Sequence, residues 1–374
     1  MKEKKKIKIL YDSQILCFQR YGGISRYFYE LYVFFREINR EHTYANLPVK
    51  YSYNYYFAPY AKPIENYVRR QRLLVNRFKM IEDIYANFLK GEPYNIIHPT
   101  YYYPDYLKYI PGYIRKKTKL IITVYDLICE IFYPDSENLQ KRAEIIQKAD
   151  GIIAISEKTK EDLMRIYPSV PEERIRVIYL GNSMRAPANQ ILKKFPAKYI
   201  LMVGNRDKYK NGNIVLKALK KAKKVIDDLQ LVCAGGGPLT DVEIRLMEEL
   251  GVKESVIQMS LTDEELYYAY QGAECFIFPS LYEGFGIPIL EAFYCKCPVI
   301  LSNASCFPEI AQDSALYFDP NDEEELAEKI CLLLQTPSLA NKLIEKGNER
   351  LKMFSWENTV AETYKFYKEI AGIL

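Results

Sequence analysis

Short apolar runs bounded by turn residues recur along the chain, and longer stretches with helical periodicity separate them. In the first half the runs cover residues 6–10, 95–98, 120–125 and 151–155. Runs of this length alternating with helices predict a parallel sheet joined by crossover helices. Ser156 follows the last run and is expected to cap the next helix.

The same alternation begins again near residue 199. It predicts strands at 199–203, 230–234, 256–259, 275–278 and 298–301, and helices at 213–225, 242–250, 263–271, 323–334, 337–352 and 357–371, with Thr336 as a cap. Residues 183–197 contain two prolines and little periodicity, which is typical of a linker. The chain is therefore predicted to be an α/β protein with two successive Rossmann-like halves that face each other across a ligand cleft at the carboxyl ends of the strands.

The most informative chemistry lies in the stretch YEGFGIPILEA, residues 282–292, where Glu283 and Glu291 are eight positions apart. Glycines allow the backbone to approach a ligand, and Pro288 suits the first turn of a helix. A helix start favours an anion, and a carboxylate beside phosphate is costly unless it binds another group, such as sugar hydroxyls. The stretch predicts a phosphorylated, hydroxyl-rich ligand, although any strand–loop–helix unit can carry Gly and Pro in these places.

A second candidate cluster follows the first strand of the second half. Arg206 and Lys210 lie in the segment 203–211, where their side chains could neutralise a diphosphate. Alone, such a cluster is more often a solvated group of surface charges. Its combination with the Glu283 loop makes a functional role the better interpretation.

Charge is distributed unequally between the two halves. Residues 1–180 carry 30 Lys and Arg against 21 Asp and Glu, and residues 181–374 carry 22 against 27. A basic first half suits an anionic partner, such as a membrane surface or a lipid phosphate, unless surface charge simply varies between domains. No interleaved motif for base recognition accompanies it, so a nucleic-acid partner is not expected.

Several functional classes are disfavoured by composition. The chain has 2 histidines and 8 cysteines without metal-type spacing, so a metal site is not expected and the cysteines are expected to be reduced and buried. No apolar run is long enough to cross a bilayer, and the N-terminus lacks the pattern of a signal peptide. These features favour a cytoplasmic protein.

The motifs together resemble one known family. The matching segments are 21–26 (YGGISR), 124–127 (VYDL), 156–163, 203–211, 235–238 (GGGP), the Glu283 and Glu291 pair, and 354–356 (FSW). In order and spacing they are similar to family 4 of the retaining glycosyltransferases, which have the two-domain GT-B fold. The N-terminal part most resembles mannosyltransferase-like enzymes that build O-antigen and capsule glycans.

The resemblance implies a domain organisation and an activity. Residues 1–183 would bind the acceptor, residues 184–355 would bind the donor, and residues 356–374 would form a helix that returns to the first domain. The expected reaction moves a sugar, with retention, from a nucleotide-diphosphate sugar to a glycan or lipid-linked glycan. GDP-mannose is the first candidate donor and a UDP-sugar the next, and no cofactor or divalent metal is required.

The resemblance also implies roles for individual residues. Arg206 and Lys210 would stabilise the leaving diphosphate, and Glu291 would bind the ribose. The transferred sugar would be held by Glu283 and the backbone of Gly284, Phe285 and Gly286. Gly22 and Gly23 would approach the donor phosphate, and the nucleobase would be bordered by Gly235, Met259 and Leu261.

One position departs from the family pattern. Tyr125 precedes Asp126 where the family commonly has histidine beside the reacting sugar, and tyrosine carries no charge near neutral pH. Either Tyr125 supplies a hydrogen bond or the activity is altered, and Asp126 is either catalytic or a structural cap. The alternatives to a transferase are therefore a catalytically weak binding subunit and another GT-B enzyme, such as a nucleotide-sugar epimerase.

The acceptor half contains a basic amphipathic segment at 66–89. Its cations are Arg69, Arg70, Arg72, Arg77 and Lys79. A helix of this kind could lie on an anionic membrane surface, which would suit a lipid-linked acceptor at the cytoplasmic face. An ordinary helix that packs its Leu and Val face into the domain is the alternative.

Overall fold

The computed structural model describes residues 6–12, 14–47, 51–52, 54–60, 62–63, 94–101, 118–136, 139–188 and 195–373. The chain divides into two compact units. The first unit comprises Met1–Tyr179 together with Trp356–Leu374, and the second comprises Leu180–Ser355. The basic segment at 66–89, with its proposed membrane contact, lies outside the described residues.

The first unit is built on a parallel sheet with the strand order β2-β1-β5-β6-β7-β8. The strands are β1 (Ile7–Tyr11), β2 (Thr43–Asn46), β5 (Ile96–His98), β6 (Lys119–Val124), β7 (Gly151–Ala154) and β8 (Ile175–Val177), and the short β3 (Tyr51–Ser52) and β4 (Lys62–Pro63) pair separately. The helices before the linker are α1 (Gln14–Phe18), α2 (Gly23–Val33), α3 (Ile128–Phe132), α4 (Leu139–Lys148) and α5 (Glu157–Ile166). A π-helical turn, Phe34–Ile38, continues α2.

The second unit repeats this architecture with the strand order β11-β10-β9-β12-β13-β14, again parallel throughout. Its strands are β9 (Tyr199–Val203), β10 (Gln230–Ala234), β11 (Val256–Met259), β12 (Cys275–Phe278), β13 (Val299–Ser302) and β14 (Leu316–Phe318). Its helices are α6 (Gly212–Ala222), α7 (Asp241–Leu250), α8 (Asp263–Gly272), α9 (Ile287–Tyr294), α10 (Phe307–Ala311), α11 (Glu323–Gln335) and α12 (Pro337–Leu351). The described residues also form four 3₁₀ turns: Glu172–Arg174, Lys208–Lys210, Lys253–Ser255 and Gln312–Ser314.

Strand order reverses once in each sheet. In the second unit β9 and β12 are neighbours, although β10 and β11 lie between them in the chain. The chain leaves both strands at the same edge of the sheet, so the loop after β9 meets the loop after β12. In open α/β sheets this is the edge where ligands bind.

The interior of the second unit follows from the sequence pattern. The apolar positions of α6, including Ile214, Val215 and Leu219, recur at helical spacing and are buried against the sheet and against α11. The strands themselves are apolar on both faces, as expected of a parallel sheet covered by helices on both sides.

Helix capping agrees with the sequence at one predicted position and not at another. Ser156 Oγ accepts the amide N–H of Thr159 at 3.0 Å, so the predicted cap of α5 is confirmed. Thr336 precedes α12 but makes no side-chain bond to its first turn. Pro337 begins that helix without an N–H, so one of the amides that would need a cap is absent.

The cysteines and the helices bear on two further expectations. Every cysteine whose side chain is described is a free thiol, and the buried ones are Cys233, Cys275, Cys295, Cys297 and Cys306. Burial raises the pKa of these buried thiols. Within the described residues no helix combines the length and apolar character needed to cross a bilayer.

The last helix, α13 (Trp356–Ala371), belongs to the first unit and is anchored there by a buried polar network. The Tyr367 hydroxyl lies 2.5 Å from His98 Nδ1 and 3.3 Å from the Tyr11 hydroxyl. His98 Nε2 lies 2.9 Å from Thr123 Oγ1. Burial lowers the pKa of His98 to about 3, so its imidazole is neutral and can share hydrogen bonds without a buried charge.

We expect Tyr367→Phe to lower the free energy of unfolding by about 1–3 kcal/mol, because a buried nitrogen of His98 loses its hydrogen-bond partner. Tyr364→Phe is the control, since Tyr364 lies on the same helix but is only partly buried, and a change within about 0.5 kcal/mol is expected. Urea denaturation measures both values. Equal effects of the two substitutions would contradict an anchoring role for the network.

Candidate active site

The loop that follows β9 is tied to the loop that follows β12. Asn211 has a left-handed backbone, with φ of 55°, and its Nδ2 donates to the carbonyls of Pro320 at 2.8 Å and Pro279 at 3.3 Å. The Leu281 amide donates to the carbonyl of Tyr209 at 2.7 Å. These bonds bring Lys210, at the end of the first loop, beside the second loop.

Lys210 and Glu283 form an ion pair between the two loops. Lys210 Nζ lies 2.5 Å from Glu283 Oε1, and the side chains are 21% and 12% exposed. Ser280 Oγ donates to the same carboxylate oxygen at 2.7 Å. The ammonium also lies 5.3 Å and 5.8 Å from the ring centroids of Tyr209 and Phe278. The cation is thus held in one place, partly dehydrated but still accessible, where its field is stronger than in water.

The backbone of Glu283 is fixed by a residue that the sequence did not single out. The Glu283 amide donates to Ser305 Oγ at 3.1 Å, and Ser305 Oγ donates to the Glu283 carbonyl at 2.6 Å. Ser305 follows β13, the next strand of the sheet, and has a left-handed backbone with φ of 54°. A positive φ is uncommon for a residue other than glycine. This feature marks Ser305, but only once the structure is known.

The turn Gly284–Gly286 leads directly into α9. Gly286 has φ of 90°, and a Cβ there would lie 3.0 Å from Ile289 Cδ1 and 3.1 Å from Phe307. The Phe285 side chain is buried and packs edge-to-face on Phe354 at 5.7 Å, so only its backbone remains for a ligand. Pro288 lies in the first turn of α9, as predicted.

Glu291 lies on the second turn of α9, on the helix that begins at this turn. The Tyr270 hydroxyl donates to its Oε2 at 3.1 Å. Burial raises the pKa of Glu291 to about 7, and this outweighs the opposing effect of the Tyr270 hydrogen bond. Ionising this carboxyl group therefore costs free energy in the folded protein unless a hydrogen-bond donor binds the carboxylate.

Arg206 lies in the same loop as Lys210, but its guanidinium is directed elsewhere. Its Nε donates to Glu243 at 2.5 Å, and its other nitrogens donate to the carbonyls of Gly235 at 2.9 Å, Pro238 at 3.1 Å and Gly237 at 3.2 Å. The residue is buried. The structure thus brings Lys210 to Glu283 and Arg206 to the glycine turn.

The predicted nucleobase border is a set of neighbours at the carboxyl ends of β10 and β11. The Gly235 amide donates to the Met259 carbonyl at 2.8 Å, and Gln258 Nε2 donates to the Gly235 carbonyl at 3.3 Å. Leu261 is partly buried just after β11. The roles of these residues toward a base stay predictions.

In the first unit, Gly22 and Gly23 lie at the start of α2. The Gly22 carbonyl accepts the Ser25 hydroxyl and the Arg26 amide, each at 3.0 Å. A Cβ on Gly22 would overlap the end of the Gln19 side chain, which would have to move to make room. The roles of both glycines toward a donor phosphate stay predictions.

Tyr125 and Asp126 follow β6. The Tyr125 ring is buried and meets Tyr27 edge-to-face at 6.0 Å. Asp126 Oδ1 accepts the Ile128 amide at 3.1 Å, at the start of α3. The cap residue of α3 is Leu127, which makes no side-chain capping bond, so Asp126 binds the first amide of the helix from one position before the cap. Both interpretations of Asp126, catalytic and structural, stay predictions.

A buried aspartate lies where the strand order of the first unit reverses, and no sequence motif predicted it. Asp12 follows β1, and its Oδ1 accepts the amides of Thr100 at 3.0 Å and Gln14 at 3.1 Å. Burial raises its pKa to about 6 despite these bonds. Asp12 thus ties the loop after β1 to the loop after β5, as Lys210 and Glu283 tie loops in the second unit.

Two models of protein families match this chain. A model of glycosyltransferase family 4 matches residues 21–182, and a model of the glycosyl transferases group 1 matches residues 186–350. The chain belongs to glycosyltransferase family 4. The first matched region contains every strand of the first unit's six-stranded sheet except β1, and the second contains the whole sheet of the second unit.

Curated relatives are glycosyltransferases as well. The chain is 29% identical to O-antigen chain mannosyltransferase B of Escherichia coli, over 75% of this chain and 82% of the relative. It is 30% identical to O-antigen chain mannosyltransferase RfbU of Salmonella typhimurium, over 63% and 66% of the two chains. The resemblance to mannosyltransferases is thereby confirmed.

Among solved structures, sucrose-phosphate synthase from Thermosynechococcus elongatus superimposes with a TM-score of 0.75 at 21% identity. The match covers 99% of this chain and 100% of that protein. At this identity the likeness shows the fold alone. Together with the two parallel six-stranded sheets it confirms the predicted GT-B class.

We expect the stability of the protein to depend on pH through Glu291. Its pKa is raised from 4.5 to about 7, so its favourable contribution is present below pH 4.5 and is lost as the pH rises to about 7. Relative to Glu291→Gln, the wild type should lose up to about 3 kcal/mol over this range. Chemical denaturation of both proteins at several pH values measures the difference, and a constant difference would contradict the raised pKa.

Proposed function

We propose that the protein transfers a hexosyl group, with retention, from a nucleotide-diphosphate sugar to a glycan or lipid-linked glycan in surface polysaccharide synthesis. Mannose is the favoured sugar, because the relatives named above are mannosyltransferases. GDP-mannose is therefore the first donor to test, followed by UDP-sugars. The role in O-antigen or related polysaccharide synthesis comes from the same relatives.

The observation that carries this proposal is the placement of Lys210, Glu283 and Glu291 at one strand reversal. The loops after β9 and β12 supply the ion pair, and α9 begins between the two glutamates. A diphosphate beside Lys210 would also lie near the start of α9, where the helix dipole favours an anion. The sugar and the ribose would then lie toward the two carboxylates, which suit hydroxyl donors.

In the free protein Glu283 neutralises Lys210 at a distance of 2.5 Å. A bound diphosphate can replace that carboxylate as the partner of the ammonium, because two phosphates carry more negative charge. Glu283 is then released to accept hydroxyls of the transferred sugar. The ion pair thus prepares the cation for an anion and keeps the carboxylate ready for the sugar.

Bond cleavage leaves negative charge on the departing diphosphate. A fixed, partly dehydrated cation such as Lys210 stabilises that charge more in the transition state than in the ground state. We propose that this replaces a divalent metal. The acceptor attacks from the side of the leaving phosphate, which takes its proton, so the configuration is retained.

Glu283 is less suited to act as a covalent nucleophile. Its Oε1 already accepts bonds from Lys210 and Ser280, and both lower the basicity and freedom of a carboxylate. Retaining hydrolases that use a nucleophile carry a second carboxyl group about 5 Å away. The contacts of Glu283 instead favour a role in binding the sugar.

A catalytically weak donor-binding subunit is the second candidate, and Tyr125 is the observation that favours it. Tyrosine stands where the family commonly has histidine, and its ring is buried. Incubation with GDP-mannose and a lipid-linked glycan extract, followed by mass spectrometry, separates the two candidates. A product heavier by one hexose supports the transferase, whereas donor binding without product supports the subunit.

We expect Lys210→Ala to lower kcat by about 10²–10³-fold while changing donor affinity much less, because the charge it stabilises is greatest in the transition state. Lys217→Ala is the matched control, since Lys217 is an exposed lysine on α6, just after the same loop. Steady-state kinetics measures both variants. Near-normal turnover by Lys210→Ala would contradict the assignment.

We expect one nucleotide among GDP, UDP and ADP to raise the melting temperature selectively, and EDTA to leave that shift unchanged. Saturation at about 100 times Kd stabilises by about 2.7 kcal/mol. Glu291→Ala should weaken the shift, because the ribose loses its acceptor. A shift abolished by EDTA would contradict metal independence, and no shift with any nucleotide would contradict the donor site.

A further inference from the structure

Arg206 makes a different set of contacts from Lys210, although only four positions separate them. All its nitrogens donate to groups of the protein, namely the Glu243 carboxylate and three carbonyls of the turn after β10. Its side chain is 7% exposed, against 21% for Lys210. A diphosphate could reach this guanidinium only by displacing a partly buried carboxylate and several carbonyls.

The turn that Arg206 holds is unusual in its backbone. Gly235, Gly236 and Gly237 have φ of 78°, 69° and 74°, so three consecutive residues are left-handed. A run of three glycines has great conformational freedom when nothing restrains it. Its outer part is exposed from Gly236 to Pro238, so the packing that holds it comes from one side.

The hydrogen bonds from Arg206 to Glu243 and to the carbonyls of the glycine turn are called the clamp here. The clamp fixes which polar groups of the turn point outward. The peptide unit is planar and trans, so a carbonyl and the N–H of the next residue point in opposite directions. Because the carbonyls of Gly235 and Pro238 point at Arg206, the amides of Gly236 and Leu239 point away from it. These two donors are thereby presented at the carboxyl end of β10, beside the residues proposed to border the nucleobase.

Glu243 connects the clamp to a rigid element. Its carboxylate accepts the Thr240 amide at 2.7 Å, and the Thr240 hydroxyl accepts the Glu243 amide, which forms a capping box on α7. Arg206 completes this carboxylate's hydrogen bonds from the loop after β9. The pair thus joins that loop, the glycine turn and the start of α7 into one unit.

We propose that Arg206 is a positioning residue that acts on the donor through the glycine turn, and that Glu243 is its necessary partner. The inference rests on the proposed function, since it concerns the same donor site. It divides the two cations of the loop: Lys210 meets the diphosphate and Arg206 shapes the turn. The geometry therefore gives Arg206 a different role from the direct contact that the family resemblance implies.

The test compares Glu243→Gln with Arg206→Lys. Both variants keep a polar side chain, but the first weakens the bond to the guanidinium and the second cannot span four acceptors. We expect each to raise the Kd for GDP or GDP-mannose, or for whichever nucleotide the wild type prefers, about tenfold by titration calorimetry. The variant that carries both substitutions should have a Kd no higher than that of the single variant that binds more weakly, because both substitutions disrupt the same clamp.

Glu265→Gln is the matched control. Glu265 forms the same capping box with Thr262 on α8, so Glu265→Gln makes the same change to a capping box without touching the clamp. We expect its nucleotide Kd to match the wild type. If Arg206 binds the diphosphate directly, Glu243→Gln will leave the Kd unchanged or improve it, and that result would overturn the proposal.

Hydrogen exchange of the free protein distinguishes a failure of the clamp from a failure of the proposed function. Glu243→Gln should speed amide exchange in the peptide that spans the glycine turn, relative to Glu265→Gln, whether or not a nucleotide is present. Unchanged exchange in that peptide would overturn the clamp itself. If the wild type binds no nucleotide, the proposed function fails, and the inference about donor positioning fails with it although the exchange result stands.

Discussion

The ion pair between Lys210 and Glu283 exists because of a reversal in strand order. β9 and β12 are neighbours in the sheet, so two loops 73 positions apart in sequence meet at one edge. Asn211 and the Leu281 amide tie these loops together before any ligand arrives. The site is therefore largely formed in advance, and binding need not order the loops that carry it.

Two buried or half-buried cation–carboxylate pairs in one unit serve different purposes because their surroundings differ. Lys210 has a single carboxylate partner and remains partly exposed, so a stronger anion can take it over. The guanidinium of Arg206 donates hydrogen bonds to four residues, and its side chain is buried. A lysine is a compact charge that changes partner easily, whereas an arginine in a full set of hydrogen bonds acts as a brace.

The sequence predicts the fold better than it predicts the direction of side chains. Strands 199–203, 230–234, 256–259 and 275–278 agree with the structure at both ends, because apolar runs of this kind must be buried. The short elements β14 and α10 were not predicted, because neither is long enough to show a clear periodic pattern of apolar residues. Arg206 could not be oriented from the sequence because Glu243, its partner, is 37 positions away and is set by sheet order. The same holds for Ser305, Tyr270 and Asp12.

In the proposed mechanism a donor diphosphate takes the place of Glu283 beside Lys210. A crystal structure with the nucleotide diphosphate that the protein prefers tests this most directly. We expect a phosphate oxygen within hydrogen-bond distance of Lys210 Nζ, the ribose hydroxyls on Glu291, and Glu283 turned toward the position of the sugar. A diphosphate bound elsewhere, with the Lys210–Glu283 pair intact, would contradict it.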